Sequence, residues 1–326
     1  MAKEKLKVGM FWAAGCGGCD VALLDIHEKI LDVVQVADLV FWPCAMDFKY
    51  QDVEAMPDGH MDITFFTGAV RNEENEHMAK LLRKKSKVLA AFGSCSHMGG
   101  IPGLANFHDR ASIFQTVYKD SPSTTNENGP LPQTEFNAPE GILTIPQLFD
   151  TVKTLDQTVT VDYFLPGCPP NPEQIATVIG AVASGNLPPL RSVVGASDKA
   201  LCEDCPRKKT ELKFKSFKRR HLVHPDKETC FLEQGIVCVG SATRSGCGYR
   251  CIQSNMPCRG CYGPLPNVFD QGAKILSAIA SHIDSTDPQE IEKILDTMPD
   301  PAGYFYRFGL PLSMLRRRHR PEATCK

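Results

Sequence analysis

Lys7-Val8-Gly9-Met10-Phe11-Trp12-Ala13-Ala14-Gly15-Cys16-Gly17-Gly18-Cys19-Asp20 is an apolar run of strand length that stops at a small-residue turn holding two cysteines. Beyond the turn, Val21, Leu24, Ile26 or His27, Ile30, Leu31 and Val34 recur at helical spacing, which predicts a helix over 18–34. The Cys-x-x-Cys therefore lies at the carboxyl end of a strand and opens a helix, where α/β sheets bind their ligands. Gly15, Gly17 and Gly18 let the backbone come close and can turn N–H groups toward an anion. The stretch reads as half of an iron–sulfur site, with its other ligands supplied from elsewhere in the chain.

Strands are also predicted over 37–42, 61–66, 87–92 and 159–165, and helices over 72–85 and 172–185. Strands rich in β-branched and aromatic residues, alternating with amphipathic helices, predict a parallel sheet with helices on both faces. Two more strand ends deliver cysteine: Gly93-Ser94-Cys95 and Gly167-Cys168-Pro169-Pro170. Three separate segments would thus bring Cys16, Cys19, Cys95 and Cys168 to one rim of one sheet, as a four-iron cluster requires. A thioredoxin-like dithiol is the competing reading of the Cys-x-x-Cys, but it leaves Cys95 and Cys168 unexplained. A structural zinc site also uses four thiolates, although its ligands usually arrive as two local pairs.

The stretch 119–141, rich in Pro, Asn and Ser, has no apolar period and is predicted to be a structureless loop. Such a loop is either a partner-binding feature or a surface insertion. After about residue 190 the alternation ends. Cys202, Cys205, Cys230, Cys238, Cys247, Cys251, Cys258 and Cys261 then fall within 60 residues that contain few long apolar runs. A segment like that cannot build an ordinary core and calls for metal to fold. Eight thiolates serve two four-cysteine clusters; sequence order groups the first four together and the last four together. Two zinc ribbons compete, but the single cysteines between the local pairs make no regular knuckles. Cys44 and Cys325 are left over and read as inert thiols.

The totals narrow the function classes. A chain of 326 residues accommodates two domains, expected at 1–190 and 191–326. A net charge of −2 argues against a nucleic-acid binder. The basic runs Arg207–Arg220 and Arg316–Arg320 read as solvated faces, with an anionic partner surface as the alternative. No run approaches the ~18–20 apolar residues of a membrane span. Met1–Lys5 leads into the first strand with no apolar targeting region, which predicts a cytoplasmic protein. In a reducing compartment the 14 cysteines read as metal ligands rather than disulfides. His60, His77, His97 and His108 have no ligand partner at a telling spacing, and His27 reads as a packed residue of the first helix.

The chain resembles the small subunit of [NiFe] hydrogenases. It carries that family's Cys-x-Gly-Cys at 16–19, its Gly-x-Cys at 93–95 and its Gly-Cys-Pro-Pro-Asn-Pro at 167–172. The resemblance implies a flavodoxin-like first domain and an irregular, cysteine-rich iron–sulfur second domain. It implies three [4Fe–4S] clusters: proximal on Cys16, Cys19, Cys95 and Cys168; medial on Cys247, Cys251, Cys258 and Cys261; distal on Cys202, Cys205, Cys230 and Cys238. Many family members have a histidine where this chain has Cys202, and a proline where it offers Cys251, which leaves them a three-iron medial cluster. Asp20 beside Cys19 would disfavour adding an electron, and the positive end of the helix starting there would act oppositely.

Electrons from H2 would then run from a separate large subunit, which holds the Ni–Fe site, through the clusters to a partner. No residue here has the spacing of a catalytic acid or base. Ser94–Asn106 is most similar to the cytoplasmic, methyl-viologen-reducing hydrogenases of methanogenic archaea. That type implies an iron–sulfur adaptor subunit and heterodisulfide reductase as partners. A deazaflavin-reducing hydrogenase small subunit and a complex-I-like electron-transfer subunit are the alternatives; the latter normally stops after one cluster. A zinc-stabilised interaction protein is the reading of a different class.

Overall fold

Nine strands occur in the computed structural model, which describes residues 4–316: β1 (Leu6–Trp12), β2 (Ala37–Phe41), β3 (Met61–Thr67), β4 (Val70–Asn72), β5 (Ser86–Phe92), β6 (Glu135–Ala138), β7 (Gly141–Thr144), β8 (Leu148–Lys153) and β9 (Tyr163–Leu165). Five of them form a parallel sheet in the order β2-β1-β3-β5-β9. The order reverses direction between β1 and β3, the switch point at which such sheets open a crevice. The register aligns the strand ends. Trp12 pairs with Thr67, Thr67 with Phe92, and Phe92 with Leu165, so four loops emerge from one rim.

Successive side chains leave a strand on opposite faces. Met10, Phe65, Phe92 and Leu165 therefore pack with Ala22, Leu23 and Ile175 on one side of the sheet. Phe11, Phe66, Ala91 and Phe164 pack with Met78 and Leu82 on the other. Burying a side chain such as Phe66 contributes about 2–3 kcal/mol. The helix Glu73–Lys85 starts where the Asn72 side chain accepts from Asn75 N–H at 2.8 Å. The helix Pro172–Ser184 starts the same way, with Asn171 accepting from Gln174 N–H at 2.7 Å.

The helix predicted over 18–34 is broken. Gly18–Leu24 is followed by a 3-10 turn, His27–Lys29, and a second helix, Ile30–Val36. His27 adopts φ 55° at the break and is exposed rather than packed. The break turns Ala22, Leu23 and Ile26 inward and leaves Val21, Leu24, Leu31 and Val34 exposed. The strand predicted over 159–165 pairs only at Tyr163–Leu165, because residues 155–159 turn back on themselves through Val159 N–H to Leu155 O, 2.9 Å. The stretch 119–141 is not wholly structureless. It runs into the hairpin β6–β7, which turns at Pro139-Glu140 and leaves Phe136, Ile142 and Leu143 exposed.

The second half does build a core, contrary to expectation. Phe214, Phe217, Phe231 and Ile252 pack against Ile275, Ile279, Ile294 and Phe305 from the helices Gln271–Ala280, Pro288–Asp296 and Pro301–Phe305. Cys238 and Cys258 are buried within it. The chain then returns to the first half, where Gly100 N–H donates to Phe308 O and Gln157 Nε2 to Pro311 O. No helix among the described residues is long and apolar enough to cross a membrane.

Candidate metal centres

The aligned rim sets the first centre. The loops after β1 and β3 are zipped by Ala14 N–H to Ala69 O, 3.0 Å, and Ala69 N–H to Ala14 O, 2.8 Å. This approach requires glycine at position 68, where a Cβ would fall 2.6 Å from the Ala13 carbonyl carbon. Cys16 and Cys19 from the β1 loop, Cys95 from the β5 loop and Cys168 from the β9 loop line one cavity of about 80 Å³. Gly93, φ 87°, lies so close that a Cβ there would collide with Cys19 Sγ. Cys16 and Cys168 are exposed at the mouth beside Trp12, and Cys19 and Cys95 sit deeper.

Three of these thiols are held protonated by their surroundings. Burial pushes Cys19 well up, reinforced by Cys95, Cys168, Asp20 and Cys16. Burial, Cys168 and Cys16 push Cys95 up to about 12, and burial and Cys16 raise Cys168. Deprotonated, four thiols lining one cavity repel one another and need a compact, strongly positive group between them.

Among the eight later cysteines, thiols act on one another both within and between the two expected sets. Burial raises Cys202, to about 11, with Cys230 and Cys205 adding to it. Burial raises Cys238, to about 12, with Cys202 and Cys230 adding to it. Gly240 packs against both Cys202 Sγ and Cys238 Sγ, its would-be Cβ 3.3 and 3.7 Å from them. Burial raises Cys261, to about 12; Cys168 of the first group, then Cys251 and Cys247, add to it. Cys258 is raised by burial, then by Cys238 and Cys261.

Sulfur-directed N–H groups recur throughout. Gly18 N–H points at Cys16 Sγ, 3.4 Å. The backbones of Leu232, Gly240, Tyr249 and Gly260 do the same for Cys230, Cys238, Cys247 and Cys258, each from two residues on. Such donors stabilise thiolates and tune the metal they hold.

The groups also touch. The Cys168 backbone hydrogen-bonds to Cys261 Sγ, and the Cys258 backbone to Cys238 Sγ. Ser94 Oγ reaches both Gly167 O, 2.8 Å, and Cys261 O, 2.7 Å. Asn171 Nδ2 donates to Tyr262 OH, which donates to Gln174 Oε1. Sequence reasoning assigned no role to Ser94, Asn171 and Tyr262; Ser94 and Tyr262 are signalled by adjacency to Cys95 and Cys261, and Asn171 by its place in the motif 167–172.

No three His, Cys, Asp or Glu side chains among the described residues close on a single ion. The first-group thiols instead surround a space, and the described cysteines are all free. The donor set fits iron–sulfur groups.

A family model described as NADH ubiquinone oxidoreductase, 20 Kd subunit, matches residues 16–182, which stops short of the eight later cysteines. The iron-sulfur subunit of the F420-non-reducing hydrogenase of Archaeoglobus profundus is 40% identical over 319 residues, covering 96% of this chain and 98% of its own length. A subunit of the F420-non-reducing hydrogenase of Methanothermobacter marburgensis is 38% identical over 327 residues, covering 98% and 99%. The chain belongs to this family of hydrogenase small subunits. Among solved structures, a chain of an NAD+-reducing [NiFe]-hydrogenase in its H2-reduced state aligns with a TM-score of 0.48 and 28% identity, over 56% of this chain and 93% of that one.

Other residues of the hydrogenase subunit fall differently from the sequence reading. Arg207 is not on a solvated face. Its guanidinium lies 3.7 Å over the Phe231 ring and donates to Asp226 O and Thr229 O at 2.7 Å, so it ties three segments together with Asn255. Lys208 and Lys215 do lie on a solvated face, where they pair with Glu228 and Asp284. Cys44 is exposed and donates to Asp20 Oδ1, 3.3 Å; Trp42 Nε1 and Thr67 Oγ1 donate to the same carboxylate, each at 3.0 Å. His97 is buried against Phe164, 4.8 Å away, and burial lowers it to about 4. Arg316 is the last described residue; Cys325 and the rest of the second basic run lie outside the described residues.

Proposed function

We propose that this chain is the electron-transfer subunit of a [NiFe] hydrogenase, with three [4Fe–4S] clusters on the cysteine sets named above. When bound, such clusters carry one electron at a time between a large subunit's Ni–Fe centre and a partner. The observation that carries this reading is the pair of contacts between groups, Cys168 to Cys261 and Cys258 to Cys238. They string the three sets into one line from the open rim into the second half.

The protein's own residues fix that line. Gly93 and Gly68 keep the first four thiols at a close rim. N–H groups from two residues on offset the charge each cluster gains on reduction. Cys16, Cys168 and Trp12 at the mouth of the first cavity mark the face that meets the large subunit. On this reading the chain divides into 1–190 and 191–326; a core of its own in the second part supports this, and residues 308 and 311 are hydrogen-bonded back to the first part. An iron–sulfur adaptor and heterodisulfide reductase are the partners at the far end, in the cytoplasm.

Anaerobic iron and acid-labile sulfide analysis of the purified native protein tests this. About twelve of each per chain, with no zinc, is the expected result. About four iron with one or two zinc would reduce the second half to a structural module.

A further inference from the structure

The second half also holds a pocket of about 480 Å³ that the electron path does not use. Four arginines, Arg219, Arg220, Arg259 and Arg307, line it together with His221, and Asp300 is the one carboxylate among its described lining residues. Asp300 is already engaged, since Oδ1 caps the helix Pro301–Phe305 by accepting from Gly303 N–H at 2.9 Å. Three of the four guanidinium groups are held in place. Arg220 donates to Asn255 O and Val223 O, Arg307 Nε donates to Gly303 O, and Arg259 lies over the Tyr304 ring. Arg259 Nη1 is buried without a hydrogen-bond partner among the described residues. Burial and the charge of Arg259 lower Arg307, opposed by the charge of Asp300.

A buried guanidinium nitrogen without an acceptor is costly, and with the positive excess of the pocket it calls for an anion. Four cations against one engaged carboxylate exceed what a single carboxylate ligand balances. A phosphate group brings about −1.5 to −2 charges and three acceptor oxygens that match planar guanidinium forks.

We propose that this pocket binds the phosphate group of a small phosphorylated ligand between Arg259 and Arg307. Arg259 stands between Cys258 and Cys261, so the occupied pocket adjoins the cysteine set in the middle of the line. The site itself does not rest on the electron-path reading.

The test is isothermal titration of the native complex with pyrophosphate at fixed ionic strength, alongside Arg307→Gln and Arg219→Gln and with hexaglutamate as the competing probe. Saturable binding of one pyrophosphate per chain, weakened at least tenfold in both variants at unchanged iron content, is the expected result. Absence of saturable binding overturns the proposal, as does an affinity that neither variant weakens. Binding of hexaglutamate without pyrophosphate also overturns it and makes the pocket a seat for an acidic protein surface. Iron content is read separately, so loss of the phosphate site and failure of the cluster assignment are distinguishable.

Discussion

Ser94 Oγ lies 2.7 Å from the carbonyl oxygen of Cys261, a residue 167 positions further along the chain. The same hydroxyl lies 2.8 Å from Gly167 O, so one proton serves two carbonyls, each next to or on a candidate ligand cysteine. This joins the β5 and β9 loops to the second half at the point where the first two cysteine sets meet. Ser94→Ala leaves both buried carbonyls without that donor and costs about 1 kcal/mol. Thermal unfolding of the assembled protein is expected to fall accordingly, and electron transfer out of the first set to slow. An unchanged midpoint and an unchanged rate would show that the other contacts of the seam, Asn171 to Tyr262 and Cys168 to Cys261, suffice to hold it.

Gly93→Ala is expected to empty the first centre selectively. The residue sits at φ 87°, ψ 163°, a region that only glycine enters freely, and strain there amounts to about 1–3 kcal/mol. Its new Cβ would also displace Cys19 Sγ. Iron per chain should drop from about twelve to about eight, with the later cysteines still loaded. Full iron content in the variant would mean that Cys19 is no ligand.

Arg207→Lys is not conservative here. Lysine cannot reach Asp226 O, Thr229 O and Asn255 together, nor stack on Phe231 as the planar guanidinium does. The loss is about 3 kcal/mol, and it loosens the loops that carry Cys205 and Cys230. The expected outcome is lower iron content with the first centre spared, measured by iron analysis and by the spectrum of the remaining clusters. Equal iron content would restrict Arg207 to packing.

The strands and the cysteine-bearing turns were legible because their signals are local. Lys7–Trp12 and Met61–Phe66 are apolar runs ended by small residues, and the rim follows once the strands are parallel. Less local features were not. The break at His27 depends on which face of the helix the sheet covers, and Val21 and Leu24 carry the same periodicity whether buried or exposed. Arg207 sits in a run of cations, so nothing in its neighbours distinguishes a buried guanidinium from solvated ones. The core of the second half escaped because its partners, Ile275, Ile279 and Phe305, lie beyond the cysteine-rich stretch they support.

Asp20 joins an unassigned thiol to the first centre. Cys44, although exposed as a residue, is pushed up to about 11 by the partial burial of its thiol and then by the Asp20 carboxylate, to which it donates. Below that pH the thiol stays protonated, and the protonated form reacts poorly with alkylating reagents. Asp20→Asn removes the charge while keeping a carbonyl oxygen for Trp42 and Cys44. The Cys44 value then falls toward the ordinary thiol range, and each unit of that fall raises the thiolate fraction about tenfold at pH 8. Alkylation of Cys44 in the cluster-loaded protein, followed by peptide mass spectrometry, is therefore expected to be about tenfold faster in the variant. In both proteins the rate should rise with pH, levelling off at lower pH in the variant. The same loss of negative charge beside Cys19 makes reduction of the first centre easier, so its potential should move to a more positive value. Faster alkylation with an unmoved potential would confine Asp20 to Cys44; equal alkylation rates would leave burial alone as the cause of the raised thiol.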